Sequence, residues 1–402
     1  MRHIELPGVG YGDCTVLLGD RSLLMVDCGS MNNKLRNPEM EMTGVFSFIQ
    51  NRYSPIRDRI FLLTHYHRDH LCGFQQIIKR DPRYFTKVFL PFIPCDEDVL
   101  SPLLRLSLYA YAMATPQSDI SQVNSACITL PIKLAEAIGC ENISFLKKGD
   151  RFVFDKDEYS ILNPAPTECY PSALYEALEK LDETYPGLSP LMDEFCKLYM
   201  EFQYLPEEKT KDKLSEICEK IKDSSPAESH SIFADQSFLR ELSAAVNDSS
   251  VVFHNSSPHS GRDSILMTGD ISAAKFEELF DKFHGTYFAV KAPHHGTTSG
   301  YSQKLLDLEP EHILIHNDEY KKELSISRSY AELESILHCT GNLSCEYYLE
   351  YGSCCNRLSR CYNFARHPEL AFRCPDIHRR SRLPGCRIYV VTPAGGRSCF
   401  CD

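Results

Sequence analysis

The sequence predicts a layered α/β protein whose core is interrupted by a helical insertion. Two observations predict the layers and a third predicts the insertion. Short apolar runs of strand length, such as Ile60-Phe61-Leu62-Leu63, alternate with segments of helical periodicity along much of the chain. Histidines and aspartates gather just past the ends of those runs, the edge where layered α/β proteins collect their sites because loops project there. Residues 170–246 lose the strand signal and read as strongly amphipathic helix.

Taken in order, residues 14–18 and 23–26 read as two antiparallel strands around the turn-prone Gly19-Asp20-Arg21-Ser22, and Asp27 falls where the second ends. Residues 42–51 suit a helix, 60–63 a buried strand, 71–78 a helix and 87–91 another strand. Ser101-Pro102 is a helix start, with serine as cap and proline at the first helical position. The run 103–113 carries leucine and tyrosine on more than one face, so that helix should be well buried. Residues 143–146 and 159–162 look like short strands. In the insertion, Ser189-Pro190 starts a helix with Leu191, Phe195, Leu198, Tyr199 and Phe202 at helical spacing, and Leu214, Ile217 and Ile221 form a narrower stripe. Strands resume at 250–254 and 264–267, followed by a helix at 273–283 and a strand at 288–292. A helix at 302–307 and a strand at 313–315 follow. The division is 1–165 and 247–337 for two halves of a core, 166–246 for the insertion and 338–402 for a cysteine-rich segment. The insertion reads either as packing on the core or as a lid, a recognition subdomain or a face for a homodimer or partner protein.

The chemistry concentrates in Thr64-His65-Tyr66-His67-Arg68-Asp69-His70. His65 and His67 are two apart, so in extended backbone both rings point to one side. Asp69 and His70 follow where the chain turns into a helix. Nitrogen and oxygen ligands this close together suit a pair of borderline metal ions such as zinc. Other stretches stand in order around it: Val9-Gly10-Tyr11-Gly12-Asp13-Cys14, Leu24-Met25-Val26-Asp27-Cys28-Gly29, Leu266-Met267-Thr268-Gly269-Asp270-Ile271 and Val290-Lys291-Ala292-Pro293-His294-His295-Gly296-Thr297. Together they resemble the metallo-β-lactamase superfamily, most nearly the metallo-β-lactamase-like domain of ComEC competence (DNA-uptake) proteins.

That resemblance implies an αββα sandwich, two mixed sheets face to face with helices outside. It implies that His65 and His67 hold a first metal, that Asp69 and His70 hold a second, and that His294 completes the second. Asp270 would bridge the two, a carboxylate having an oxygen for each. Asp27 would support the histidines from behind. Asp69 and His295 become the catalytic candidates, the first accepting a proton from water and the second acting as general acid or phosphate contact. Thr297 and Ser299 offer hydroxyls to phosphate oxygens. Many relatives carry a further histidine as third ligand of the first metal; here His230, His254 and His259 are the candidates, and none sits in a motif. An aspartate at position 270, where many true β-lactamases have cysteine, points to phosphodiester or thioester hydrolysis. The expected function is a dinuclear metal-dependent hydrolase, with zinc first and manganese second. It would act as a phosphodiesterase or nuclease on nucleic acid or a nucleotide. The alternatives are a hydrolase of a thioester, lactone or other acyl substrate, and a metal-binding regulatory protein without turnover.

Composition bounds these readings. The chain has 402 residues, 43% hydrophobic and 24% charged, which is ordinary for a folded water-soluble protein. Its start lacks the apolar stretch of a secretory signal, and no run approaches the ~20 apolar residues a membrane span needs. A cytoplasmic location without membrane attachment is therefore expected, and the 18 cysteines are read as free thiols or ligands. The net charge of -12 argues against broad capture of duplex nucleic acid but leaves room for a local basic groove. The tail holds such a cluster, with Arg380 the candidate substrate contact among Arg373, Arg379, Arg382 and Arg387. Cys354, Cys355, Cys361, His367, Cys374 and His378 lie between two apparent strands at 347–349 and 387–391, and either stay buried thiols or hold a structural zinc.

Overall fold

Why two sheets form is visible in the alternation of single strands. The computed structural model describes residues 3–36, 39–94, 101–113, 126–167, 170–224, 235–257, 264–318, 335–340 and 388–391, with a few positions between 326 and 333. The chain opens with β1 (His3–Pro7), β2 (Thr15–Leu18) and β3 (Ser22–Val26), followed by a small ribbon of β4 (Lys34–Arg36) and β5 (Glu39–Glu41). Next come α1 (Met42–Tyr53), β6 (Asp58–Leu62), α2 (Arg68–Arg80) and β7 (Lys87–Pro91). Then α3 (Pro102–Met113) and α4 (Ala126–Ile138) lead to β8 (Ile143–Leu146), β9 (Arg151–Phe154) and β10 (Asp157–Asn163). The insertion is α5 (Ser172–Thr184), α6 (Ser189–Tyr204), α7 (Glu208–Asp223) and α8 (Gln236–Asp248). The second half runs β11 (Val252–Asn255), β12 (Ile265–Met267), α9 (Ala273–Leu279), β13 (Ala289–Lys291), β14 (His312–Ile315), β15 (Ile336–Cys339) and β16 (Ile388–Val391).

Among the described residues the strands form two seven-stranded sheets, in the orders β16-β1-β2-β3-β6-β7-β8 and β15-β14-β13-β12-β11-β10-β9. In β3, Leu24 and Val26 face the other sheet while Leu23 and Met25 face the helices, as a period of two requires. The layer between the sheets joins Leu24, Leu62 and Phe89 to Phe253, Met267 and Leu314. Each such side chain contributes roughly 1.5–3 kcal/mol by leaving water. The outer face of the second sheet packs Leu266, Val290 and Ile313 on Phe276 of α9. Two facing sheets with helices outside are the αββα arrangement expected.

The insertion shares one apolar cluster with α1, α2 and the outer face of the first sheet. Phe202 of α6 meets Phe145 of β8 edge-on at 5.7 Å between ring centroids. Gln203 accepts from the Ile93 amide at 2.6 Å and donates to its carbonyl at 3.2 Å, so its buried amide is paired on both sides. Six elements of the fold were not read from sequence: β1, β4, β5, β9, α4 and β15. The strand at 347–349, the cysteines and histidines of residues 354–378, Arg380 with its neighbouring arginines, His230 and His259 lie outside the described residues.

What places a site in this fold is its parallel strands. β3, β6, β7 and β8 run parallel, as do β12, β13, β14 and β15, so within each set the strands end at one edge. Asp27, Thr64, Gly269, Ala292 and His316 follow the last residues of such strands.

Candidate metal centre

Asp27 is the first fixed point. It follows β3 in left-handed backbone, φ 58°, and is almost fully buried. Its Oδ1 accepts from the Thr64 amide at 2.7 Å, and its Oδ2 accepts from the Thr64 hydroxyl at 2.7 Å and from His70 Nδ1 at 2.8 Å. The first turn of α2, which carries Asp69 and His70, is lashed to the strand ends by backbone. The Asp13 amide donates to the Asp69 carbonyl at 2.9 Å and the Cys28 amide to the His70 carbonyl at 2.7 Å. Gly29 permits that approach: a Cβ there would lie 2.4 Å from the Asp69 carbonyl carbon and 2.5 Å from the His70 nitrogen. The helix N-terminus also favours the negative charge of Asp69.

Because His70 Nδ1 carries the proton given to Asp27, its Nε2 faces the interior of the site, 3.1 Å from Asp270 Oδ2. His295 arrives from the other half of the chain. Its Nδ1 donates to the His316 carbonyl at 2.9 Å, and its Nε2 stands 3.2 Å from Asp69 Oδ2 and 3.0 Å from Asp270 Oδ2. That nitrogen is buried and is aligned with neither carboxylate as a hydrogen bond. Ligand atoms of Asp13, His70, Asp270 and His295 all lie within 4.8 Å of one another, and all four residues are buried. A buried ring nitrogen set among carboxylate oxygens suits a divalent cation of the zinc or manganese class, which would take the place of its proton. The residues fit such an ion.

His65 and His67 lie beside this group. His65 Nε2 is 3.2 Å from His67 Nδ1, and the His65 and His70 rings are 4.1 Å apart. The Thr64 hydroxyl is committed to Asp27 and the Ser250 hydroxyl to the Asn247 carbonyl at 2.6 Å. Both oxygens therefore accept from His65 Nδ1, at 3.1 and 3.3 Å, which leaves Nε2 as the lone-pair nitrogen. Ser250 also accepts from the Asp270 amide at 3.1 Å, so one hydroxyl ties both halves of the site. The insertion reaches the same place: Ser243 of α8 lies 3.4 Å from His67 Nε2. Tyr66, between the two histidines, turns the other way into the outer core.

His294 and His295 both adopt left-handed backbone, φ 47° and 56°. Such conformations cost on the order of 1–3 kcal/mol each and cluster at functional sites. The turn sends His295 into the group and leaves His294 partly exposed at its rim. There His294 Nδ1 pairs with the Ser299 hydroxyl at 2.9 Å, and the Thr297 hydroxyl donates to the His294 carbonyl at 2.8 Å. Thr297 and Ser299 are thus bonded to His294 and to each other, 3.0 Å apart. His254 is elsewhere, with Nδ1 paired to the Tyr287 hydroxyl at 2.8 Å and its ring stacked on His284.

The charges follow from these neighbours. Burial works against charge on His295, but Asp270 and Asp69 outweigh it and raise the imidazole to about 9. His70 is raised in the same way by Asp270 and Asp27. Asp69 and Asp270 are held below the usual carboxylate range by the facing histidines, against the effect of burial. The pair behaves oppositely. Burial, reinforced by neighbouring histidines, pushes His65 well down, and His67 falls to about 4 despite Asp69.

Sequence reasoning named Asp13 and Lys291 only as parts of motifs. Lys291 is buried with its ammonium 2.7 Å from Asp13 Oδ2, 2.9 Å from Asp270 Oδ1 and 2.8 Å from the Gly269 carbonyl. A lysine closing a strand directly before Pro293-His294-His295 was the available signal. Ser243 and Ser250 carried none, since serines of this kind are common on any surface.

Residues 7–82 match the family model of the metallo-beta-lactamase superfamily. That segment contains Asp13, Asp27 and the whole stretch from His65 to His70, and it supports a metal-dependent hydrolase in general terms. Among solved structures the chain is similar to the metallo-beta-lactamase fold protein YhfI from Bacillus subtilis. The identity is 10% and the TM-score 0.37, over 84% of this chain and 96% of that one. No curated protein matches the sequence. Among the described residues, no helix is long and apolar enough to cross a membrane.

Proposed function

We propose that the protein is a dinuclear metal-dependent phosphodiesterase acting on nucleic acid or a nucleotide. The observation that carries the metal-dependent hydrolase in this reading is the adjacency of two donor groups, the His65–His67 pair and the buried group around His70, Asp270 and His295, which Asp13 and Asp69 flank. In this reading the pair holds one ion and the group the other, with Asp270 shared between them. Zinc or manganese there would lower the pKa of water and offset charge on an attacked phosphate.

The chain's own residues do the rest. Asp27, Thr64 and Ser250 hold the tautomers of His65 and His70, so their Nε2 lone pairs stay aimed inward. His294 and His295 exchange the roles the motif suggested, with His295 in the ligand group and His294 at the rim. Ser299 orients His294, which in this reading would exchange a proton with a leaving group. The insertion reaches His67 through Ser243, 3.4 Å from its Nε2. An acyl substrate remains the second reading, because carboxylates and histidines alone do not select phosphate.

The test is hydrolysis of bis-p-nitrophenyl phosphate, single- and double-stranded DNA and RNA against thioester and lactone substrates, with zinc or manganese supplied. Phosphodiester cleavage that chelation abolishes is the expected result. Turnover of acyl substrates alone would transfer the function to the second reading.

A further inference from the structure

We propose that Lys291 is a resident cation of the metal centre, which keeps Asp13 from ligating and leaves Asp270 one oxygen for metal. The proposal rests on the metal-centre reading above. Lys291 ends β13, and its side chain is 2% exposed. The ammonium donates to Asp270 Oδ1 and to the Gly269 carbonyl, and it stands 2.7 Å from Asp13 Oδ2 as an ion pair without hydrogen-bond alignment. Two hydrogen bonds and two carboxylate charges therefore hold it in place. A buried ammonium is costly unless paired, and two buried carboxylates supply the pairing.

The consequence lies in what those carboxylates can no longer do. An oxygen of Asp13 lies within 4.8 Å of the ligand atoms of His70, Asp270 and His295, so Asp13 is close enough to join the ligand set. Lys291 claims its Oδ2, and His316 Nε2 stands 3.5 Å from its Oδ1. Asp270 is divided, with Oδ1 on Lys291 and Oδ2 facing His70 at 3.1 Å and His295 at 3.0 Å. The expectation that Asp270 offers one oxygen to each of two ions is thereby replaced by sharing through Oδ2 alone. Without the lysine, Asp13 Oδ2 and Asp270 Oδ1 would face each other with no cation between them, an arrangement that a proton or a metal ion relieves.

Lys291→Met keeps the apolar stem and removes the charge. The visible spectrum of its Co2+ form is expected to change, because Asp270 Oδ1 is released. Titration with Mn2+ is expected to find about one further ion per chain than in the parent, held by Asp13 and Asp270. With Asp13→Asn added, the ion count should return to the parent value while the altered Co2+ spectrum persists. A folded Lys291→Met protein with the parent's spectrum and ion count overturns the proposal. If that variant does not fold, a parent-like Co2+ spectrum in the double variant overturns it, and a changed one upholds it. A parent protein that takes up neither Co2+ nor Mn2+ refutes the metal-centre reading instead, and this proposal falls with it.

Discussion

The His65–His67 pair and the group of Asp69, His70, Asp270 and His295 touch each other yet are built on different physics. The pair comes from one short segment after β6 and contains no carboxylate. Its rings are kept neutral by burial, with His67 at about 4. The group draws on both halves of the chain, and its histidines are drawn toward charge by the carboxylates they face, His295 to about 9. A carboxylate-rich group attracts a divalent ion by charge as well as by lone pairs; a pair of neutral imidazoles has lone pairs alone. The difference teaches that, in the proposed dinuclear reading, the two ion positions should differ in affinity, with the group filling first.

The largest effect should come from the residue common to both. Asp270→Ala is expected to strip most bound metal and to lower phosphodiester turnover by more than ~100-fold, beyond the 10–100-fold typical of supporting residues. Elemental analysis beside the rate checks it, and near-parent metal content would break the comparison at its centre. His67→Ala should act on the pair only. About half of the bound metal is expected to remain while turnover that needs two ions is lost; a protein emptied of both ions would show that the positions are not separable.

Asp27→Asn should be milder and should fall on the group. The substitution places an amide NH2 against Thr64 or His70, both of which donate to Asp27. Metal affinity is expected to drop roughly 10–100-fold with the fold retained. An unchanged Kd would mean that His70 needs no such support.

The finest test is a titration of ring nitrogens by NMR in chelator-stripped protein. His295 should hold its proton through neutral pH and release it near 9, whereas His67 should stay neutral until about 4. The signs for stability are opposite. His295 is raised above its unfolded value of about 6.5, so its contribution is complete below that pH and fades as pH rises through 9. His67 is depressed, so the unfolded chain binds more protons between about 6.5 and 4, and stability is lost as pH falls through that window. Equal midpoints for the two rings would erase the distinction.

The pair was easier to read than the group, for a physical reason. His65, His67, Asp69 and His70 are contiguous, and an extended segment entering a helix fixes their relative direction before any tertiary contact forms. The assignment of His294 and His295 depends on two successive positive φ angles, which no residue type in Pro293-His294-His295-Gly296 announces outside the glycine. Lys291 was visible as a letter, but its meaning required Asp13 and Asp270 to meet across two sheets. The layers were legible from apolar runs. The strand β9 was missed although Arg151-Phe152-Val153-Phe154 alternates exposed and buried as an edge strand should. The helix α4 hid behind Pro131, which ordinarily argues against a helix interior.

The parallel pairing of β1 with β16 has a bearing on how the molecule is made. Ile4 lies opposite Ile388 and Pro7 opposite Val391, so nearly the whole chain separates two neighbouring strands. Chains emerge from the ribosome amino end first, and β1 can pair with β2 at once. Its other edge waits for β16. Through most of synthesis that edge presents unpaired amides and carbonyls, the kind of surface that templates pairing with the wrong chain. Ile388 also fills part of the layer between the sheets, so the late strand closes the edge and the apolar interior together. Nascent chains halted before β16 should therefore aggregate more readily than completed ones, and the rate at which translation reaches β16 becomes a determinant of yield.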